Sequence, residues 1–213
     1  MSDRIVELKP RPRDRVTVAL AGGRFFTVPA AQAEPLRTGQ DLGEVDVARL
    51  DALDQYFRGR DKMLRLLARR ARSRHELSTA LAAMAIVERV RGGILAELEE
   101  QGLVDDARFA REYVHARAEA RAEGPHRLRR DLRKRGVARA VIDEVLAGGF
   151  DRERQEAMAR TLVARKLGGG AVDERAVRRM ADLLRRKGFD YEVVNRVAYD
   201  LLRRAGRDAV EEP

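Results

Sequence analysis

Residues 128–146 read LRRDLRKRGVARAVIDEVL, and residues 180–202 read MADLLRRKGFDYEVVNRVAYDLL. The two stretches superimpose at a single offset of 52. Leu132 falls on Leu184, Gly136 on Gly188, Val137 on Phe189, Val141 on Val193 and Val145 on Val197. Each has a basic helical run, a glycine, an apolar residue and a second helical run carrying apolar pairs. A glycine at that break supplies the left-handed backbone that ends a helix. A weaker copy lies upstream at an offset of 51, pairing Leu81 with Leu132, Ile86 with Val137, Val90 with Val141 and Ile94 with Val145. There Ala85 stands in place of the glycine, so the geometry of that joint is expected to differ. Self-similarity at a fixed period marks tandem units that complete one another's cores.

Working outward, helical periodicity begins at Asp46, an N-cap candidate before Leu50, Leu53 and Phe57, and resumes from Asp61 to Arg72. Ser73 and Glu76 form the S-x-x-E pattern of a capping box ahead of Leu77 and Leu81. Gly102 closes the next helix, Asp105 or Asp106 opens another, and Phe109, Tyr113 and Ala116 are expected to share one face of it. Gly124-Pro125 restarts the helix with proline at a tolerated first position. Gly148-Gly149 and a glycine loop at 168–170 separate the rest, Asp173 caps a helix, and the last helix is placed from Tyr191 to Arg204 before a frayed tail. Phe109, Tyr113, Leu132, Val141 and Leu184 are the expected core.

The fold class follows: all-α, three tandem three-helix repeats, with a small N-terminal β-hairpin extension. The hairpin is expected at Arg15–Leu20 and Arg24–Val28, around Gly22-Gly23. Residues 1–13, charged and holding Pro10 and Pro12, read as a loose or extended lead-in, and residues 29–45 as a linker with one short helical turn. The expected divisions are 1–45 for the extension and linker, 46–104 for the leading helix and first repeat, 105–150 and 151–205 for the second and third repeats, and 206–213 for the tail.

Charge is abundant and uneven. Lys and Arg number 44 against 35 Asp and Glu, a net charge of +9, which favours a polyanionic partner. Residues 58–74 hold eight basic residues and one acid, residues 124–136 six and one, and residues 173–188 six and three. Residues 97–106 hold five acids and no base. On the run from 128 to 136, Leu128 and Leu132 face inward, so Arg129, Arg130, Arg133 and Lys134 project outward. Two readings compete: a solvated helix face, and a surface that forks Arg donors onto phosphates or carboxylates. The candidate contact residues are Arg127, Arg129, Arg130, Arg133 and Lys134, with Arg69, Arg70, Arg72 and Arg74 before them and Arg178, Arg179, Arg185 and Arg186 after. Aromatics make up 5% of the chain and do not interleave with the cations, so base stacking is not expected.

Chemistry beyond binding finds no support. Cysteine is absent, which excludes thiolate metal sites, cysteine nucleophiles and disulfides. His75, His115 and His126 are not spaced as metal ligands, and no phosphate-binding P-loop motif occurs. Serine is scarce, and no nucleophile–base pair can be assembled. No enzyme activity, cofactor or metal is expected. No apolar run is long enough to span a membrane, and the first residues are charged, so the chain is read as soluble and intracellular.

The blocks GLVDDARFAREYVHAR (102–117), GPHRLRRDLRKRGV (124–137) and LLRRKGFDYEVVNRV (183–197), in that order, together with SRHELSTAL (73–81), resemble the RecX family of recombination regulators. The likeness covers about residues 60–200, and the hairpin region resembles an extension that some members carry. The stretch LAAMAIVERV departs from the pattern, lacking the usual lysine-glycine break. The resemblance implies three tandem three-helix units in an elongated, curved monomer in the cytoplasm. It further implies a non-enzymatic regulator that binds the groove of the RecA–single-stranded DNA filament and restrains ATP hydrolysis and strand exchange. A direct nucleic-acid-binding helical module, on single- or double-stranded DNA, is the alternative.

Overall fold

A computed structural model describes residues 3–168 and 172–211, with side chains to Arg204. Residues 169 and 170 of the expected glycine loop, and the final two residues of the tail, lie outside the described residues. The elements run β1 (Asp3–Arg11), β2 (Arg15–Leu20), β3 (Phe25–Pro29), α1 (Ala30–Ala33), β4 (Asp41–Leu42), α2 (Glu44–Leu67), α3 (Arg74–Ala82), α4 (Glu88–Glu100), α5 (Asp106–Arg121), α6 (Pro125–Lys134), α7 (Arg139–Gly149), α8 (Arg152–Leu167), α9 (Glu174–Lys187) and α10 (Tyr191–Glu211). The chain divides into two compact units: residues 1–72 with 76–104, and residues 73–75 with 105–213.

In the first unit the strands form an antiparallel sheet in the order β3-β2-β1-β4, so the extension is larger than one hairpin. The lead-in takes the extended alternative, as β1. Its outer side pairs with β4 only at Asp3 and Arg4, which leaves Pro10 on an open edge where a missing N–H costs no ladder bond. Its turn into β2 uses no glycine; Arg13 and Asp14 themselves take positive φ, 64° and 54°. The sheet leans on the start of α2. Ile5, Val18, Leu20, Phe26, Val28 and Leu42 are buried with Val47 and Leu50 of α2. Asp54 Oδ1 accepts from Thr27 N at 2.9 Å, and Arg15 reaches Asp61 at 2.9 Å.

Helix α2 starts earlier than its sequence signal and does not break. Gly43 is the N-cap, and Asp46 sits at N3, its carboxylate accepting from Gly43 N at 3.3 Å. The glycine inside it, Gly59, marks close packing: an added Cβ would stand 2.7 Å from Ile86 Cδ1 and from Ile94 Cδ1. A core of Met63, Leu77, Leu81, Ile86, Ile94, Leu95, Leu98 and Val104 joins α2, α3 and α4. The joint at Ala85 keeps the left-handed turn of its glycine counterparts. Ala85 has φ 56°, against 73° at Gly136 and 85° at Gly188.

The second unit holds two helical cores. Phe109, Ala110, Val114, Ala118, Leu128, Leu132, Val137, Ile142, Leu146 and Phe150 close α5–α7. Leu162, Val163, Val177, Leu184, Phe189, Val193, Val194, Val197 and Leu201 close α8–α10. Tyr113 and Val141 lie at the margin of their core and Ala116 is exposed; Ala110, Val114 and Ile142 take the inner positions. Caps match the sequence signals: Asp105 accepts from Arg108 N at 2.9 Å and Asp173 from Ala176 N at 2.6 Å, while Pro125 opens α6. Helix α10 continues past Arg204 to Glu211. The chain is mostly helical, with three successive three-helix groups behind a small sheet.

Candidate binding surface

Helix α6 buries Leu128 and Leu132 completely, and this sets its other side outward. Its two ends are held by glycine joints that repeat the offset of 52. At the C-terminal end, a Cβ on Gly136 would stand 2.3 Å from His75 Cβ, and Ser73 Oγ donates to Arg135 O at 2.6 Å. At the N-terminal end, a Cβ on Gly188 would stand 2.4 Å from Arg127 N, and a Cβ on Gly124 would stand 2.4 Å from Gly188 O. Gly124 N donates to Lys187 O at 2.8 Å and His126 N to Gly188 O at 3.0 Å. Carbonyls at the end of α9 thus satisfy amides at the start of α6, so the two helices join tail to head with their dipoles in series.

A buried carboxylate anchors this joint. Glu123 is 1% exposed. Its Oε1 lies 3.3 Å from Arg127 Nε and 3.8 Å from Arg117 Nη1, and its Oε2 has no hydrogen-bond partner among the described residues. Lys187 donates to Arg121 O at 2.5 Å; burial, with nearby Arg127, Arg165 and Arg121, pushes its pKa below the usual lysine range, although Glu123 pulls the other way. Sequence reasoning missed Glu123, whose signal is its place four residues before Arg127 and directly ahead of Gly124-Pro125.

The candidate cations therefore differ in freedom. Arg127 is half-buried and faces Glu123 and Asp131. Arg129 is held by Asp143 of α7 at 3.1 Å. Arg130 is exposed, with Asp131 at 3.9 Å. Arg133 and Lys134 are exposed and make no ion pair among the described residues. On α9, Arg178 pairs with Glu174 at 3.4 Å and Arg185 with Asp182 at 2.9 Å, while Arg179 and Arg186 are exposed and unpaired among the described residues.

The first group departs from the pattern expected of it. Arg69, Arg70 and Arg72 lie in the connection after α2, not on the middle helix α3. Arg70 pairs with Glu76 at 3.1 Å, Arg72 is half-buried with its Nε enclosed, and Arg69 is exposed. Arg74 opens α3, its amide donating to Asp106 Oδ1 at 2.8 Å. Basic middle helices thus recur in α6 and α9 only. Of the histidines, His126 Nε2 lies 3.0 Å from Asp190, His75 packs on Gly136 and His115 is exposed. No group of three or more His, Cys, Asp or Glu able to hold a metal occurs among the described residues, and no described helix is long and apolar enough to cross a membrane.

Residues 105–146, which include α6 and its joint to α7, match the family model described as RecX, second three-helix domain. A regulatory protein RecX of Streptomyces coelicolor is 38% identical over 147 residues, which covers 68% of this chain and 78% of that protein. The chain belongs to the RecX family. A RecX regulatory protein of Halorhodospira halophila is 43% identical over 141 residues, covering 65% of this chain and 85% of that one. A crystal structure of regulatory protein RecX shares the fold at a TM-score of 0.69 and 24% identity, covering 92% of this chain and 98% of that one. RecX from Lactobacillus salivarius gives 0.64 and 22%, covering 70% and 97%. The RecX relatives are described as regulatory proteins.

Proposed function

We propose that this chain regulates RecA by lodging in the groove of the RecA–single-stranded DNA filament, where it restrains ATP hydrolysis and strand exchange. It acts as a cytoplasmic monomer and catalyses no reaction itself. The observation that carries this reading is that four of the candidate cations, Arg133 and Lys134 on α6 and Arg179 and Arg186 on α9, point outward without an acidic partner among the described residues, on two helices joined tail to head. Solvated, unpaired guanidinium groups keep their donors for an external anion, and a filament groove offers both acidic side chains and phosphates. Membership of a family of regulatory proteins supports the same reading.

The test is the ATPase of RecA on single-stranded DNA with the purified chain added. The unmodified chain should lower the rate. A variant carrying R130E, K134E, R179E and R186E should lose at least tenfold in inhibitory potency with unchanged helical circular dichroism. Undiminished inhibition by that variant rejects the surface. The alternative, a module for naked nucleic acid, predicts tight binding to bare strands that weakens steeply with salt, whereas a filament regulator responds far more to the RecA-coated strand.

A further inference from the structure

Between α6 and α7 lies a cavity of about 300 Å³ lined by Arg129, Arg133, Arg139, Ile142 and Asp143. We propose that this pocket is a phosphate site. The inference deepens the reading of α6 as a contact surface and rests on that reading for the macromolecule that brings the phosphate.

Three guanidinium groups share the cavity with one carboxylate, a net charge of +2 from these four side chains. Asp143 acts as a clip. Its Oδ1 accepts from Arg129 Nη2 at 3.1 Å and Nε at 3.3 Å, and its Oδ2 accepts from Arg139 Nε at 3.4 Å. Two arginines are thereby held beside each other with donors to spare, since each guanidinium carries five N–H groups. Arg133 lines the same space and makes no ion pair among the described residues. A carboxylate offers two oxygens and fits one guanidinium fork. Three guanidinium groups around one cavity match an anion with three or four oxygens. The volume holds a tetrahedral anion and several waters, each taking about 30 Å³.

The repeat itself does not demand this pocket. Fifty-two residues later the five positions are Ala181, Arg185, Tyr191, Val194 and Asn195; fifty-one earlier they are Ser78, Ala82, Glu88, Arg91 and Gly92. The same helix–turn–helix frame folds without three arginines, so the cluster is an addition made in the second repeat alone.

The test titrates inorganic phosphate into the ¹⁵N-labelled full chain, without RecA, and follows the Nε–Hε signals of Arg129, Arg133 and Arg139. Saturable shifts are expected with phosphate and not with acetate at equal ionic strength. Arg133→Gln should abolish saturation. Equal shifts with acetate, non-saturating shifts, or saturation retained in R133Q overturn the site. If an oligothymidylate displaces phosphate, the source is the nucleic-acid backbone; if it does not, the source is a free phosphate monoester, and both results support the pocket. Because the filament test uses changes outside the pocket, either reading can fail alone.

Discussion

At the scale of single residues, the left-handed joints decide both stability and spacing. Ala85, Gly136 and Gly188 adopt the same backbone hand, but only the alanine has a Cβ to strain. Ala85 is exposed, so a glycine there loses no packing. Ala85→Gly should raise stability by about 0.5–1 kcal/mol, the left-handed penalty of about 1–2 kcal/mol less the extra freedom of the unfolded chain. A shift of the urea midpoint to higher concentration checks it, and a lower midpoint would contradict the strain. The reverse change at Gly188 should be costly. Alanine would bring strain and also a Cβ 2.4 Å from the backbone nitrogen of Arg127, which cannot rotate away. Gly188→Ala should cost more than about 2 kcal/mol, since the left-handed penalty alone accounts for most of that, and weaken amide protection at Gly124 and His126, read by hydrogen exchange.

Between elements, what was legible in the sequence is what local chemistry dictates. The second hairpin, the caps at Asp105 and Asp173, the proline entry of α6 and the 52-residue period all depend on residues near in sequence. What escaped depends on distant partners. Strand β1 hides behind charges and two prolines because its alternation is read only against β2 and an open edge. The span of α2 through Gly59 is intelligible once Ile86 and Ile94 press on that glycine. Arg129 looked as free as Arg133 because Asp143 comes to it only through the α6–α7 turn. The clasp between α2 and α4 was likewise invisible: Tyr56 and Arg60 both donate to Glu97, Arg60 at 2.8 Å. Burial, with the bond to Glu97, pushes the Tyr56 hydroxyl up to about 12, and the bond from Tyr56 holds Glu97 below the usual carboxylate range. For Tyr56 the folded value is raised, so its contribution is complete below the unfolded value of about 10 and disappears as pH rises from there toward about 12. For Glu97 the folded value is depressed, so its contribution is present above the unfolded value of about 4.3 and is lost as pH falls below it. Tyr56→Phe should therefore flatten the loss of thermal midpoint between pH 10 and 12 and lessen the loss below pH 4; an unaltered profile would show that the clasp carries no stability.

For the whole molecule, a net charge of +9 is less informative than the fraction of cations left without partners. Ion pairs such as Arg152 and Arg160 with Glu156, or Arg60 with Glu97, remove much of the positive charge from what a partner meets. Of the candidate cations on α6 and α9, Arg133, Lys134, Arg179 and Arg186 are outward without an acidic partner among the described residues, and Arg130 is outward with only the loose contact to Asp131 at 3.9 Å. Each cation that neutralises a phosphate on a single strand steepens the salt dependence of log K by about 0.7. If all five engage, the slope on bare single-stranded DNA is about −3.5, an affinity loss of about a hundredfold between 50 and 200 mM salt. If the whole net charge acted diffusely, the slope would be far steeper. Reversing Arg179 and Arg186 should reduce the slope by about 1.4 or more and leave the share due to α6 intact. Fluorescence anisotropy of a labelled oligothymidylate over a salt series measures both numbers. An unchanged slope in that double variant would mean that α9 does not touch the strand, and would confine the contact surface to α6 and its arginine pocket.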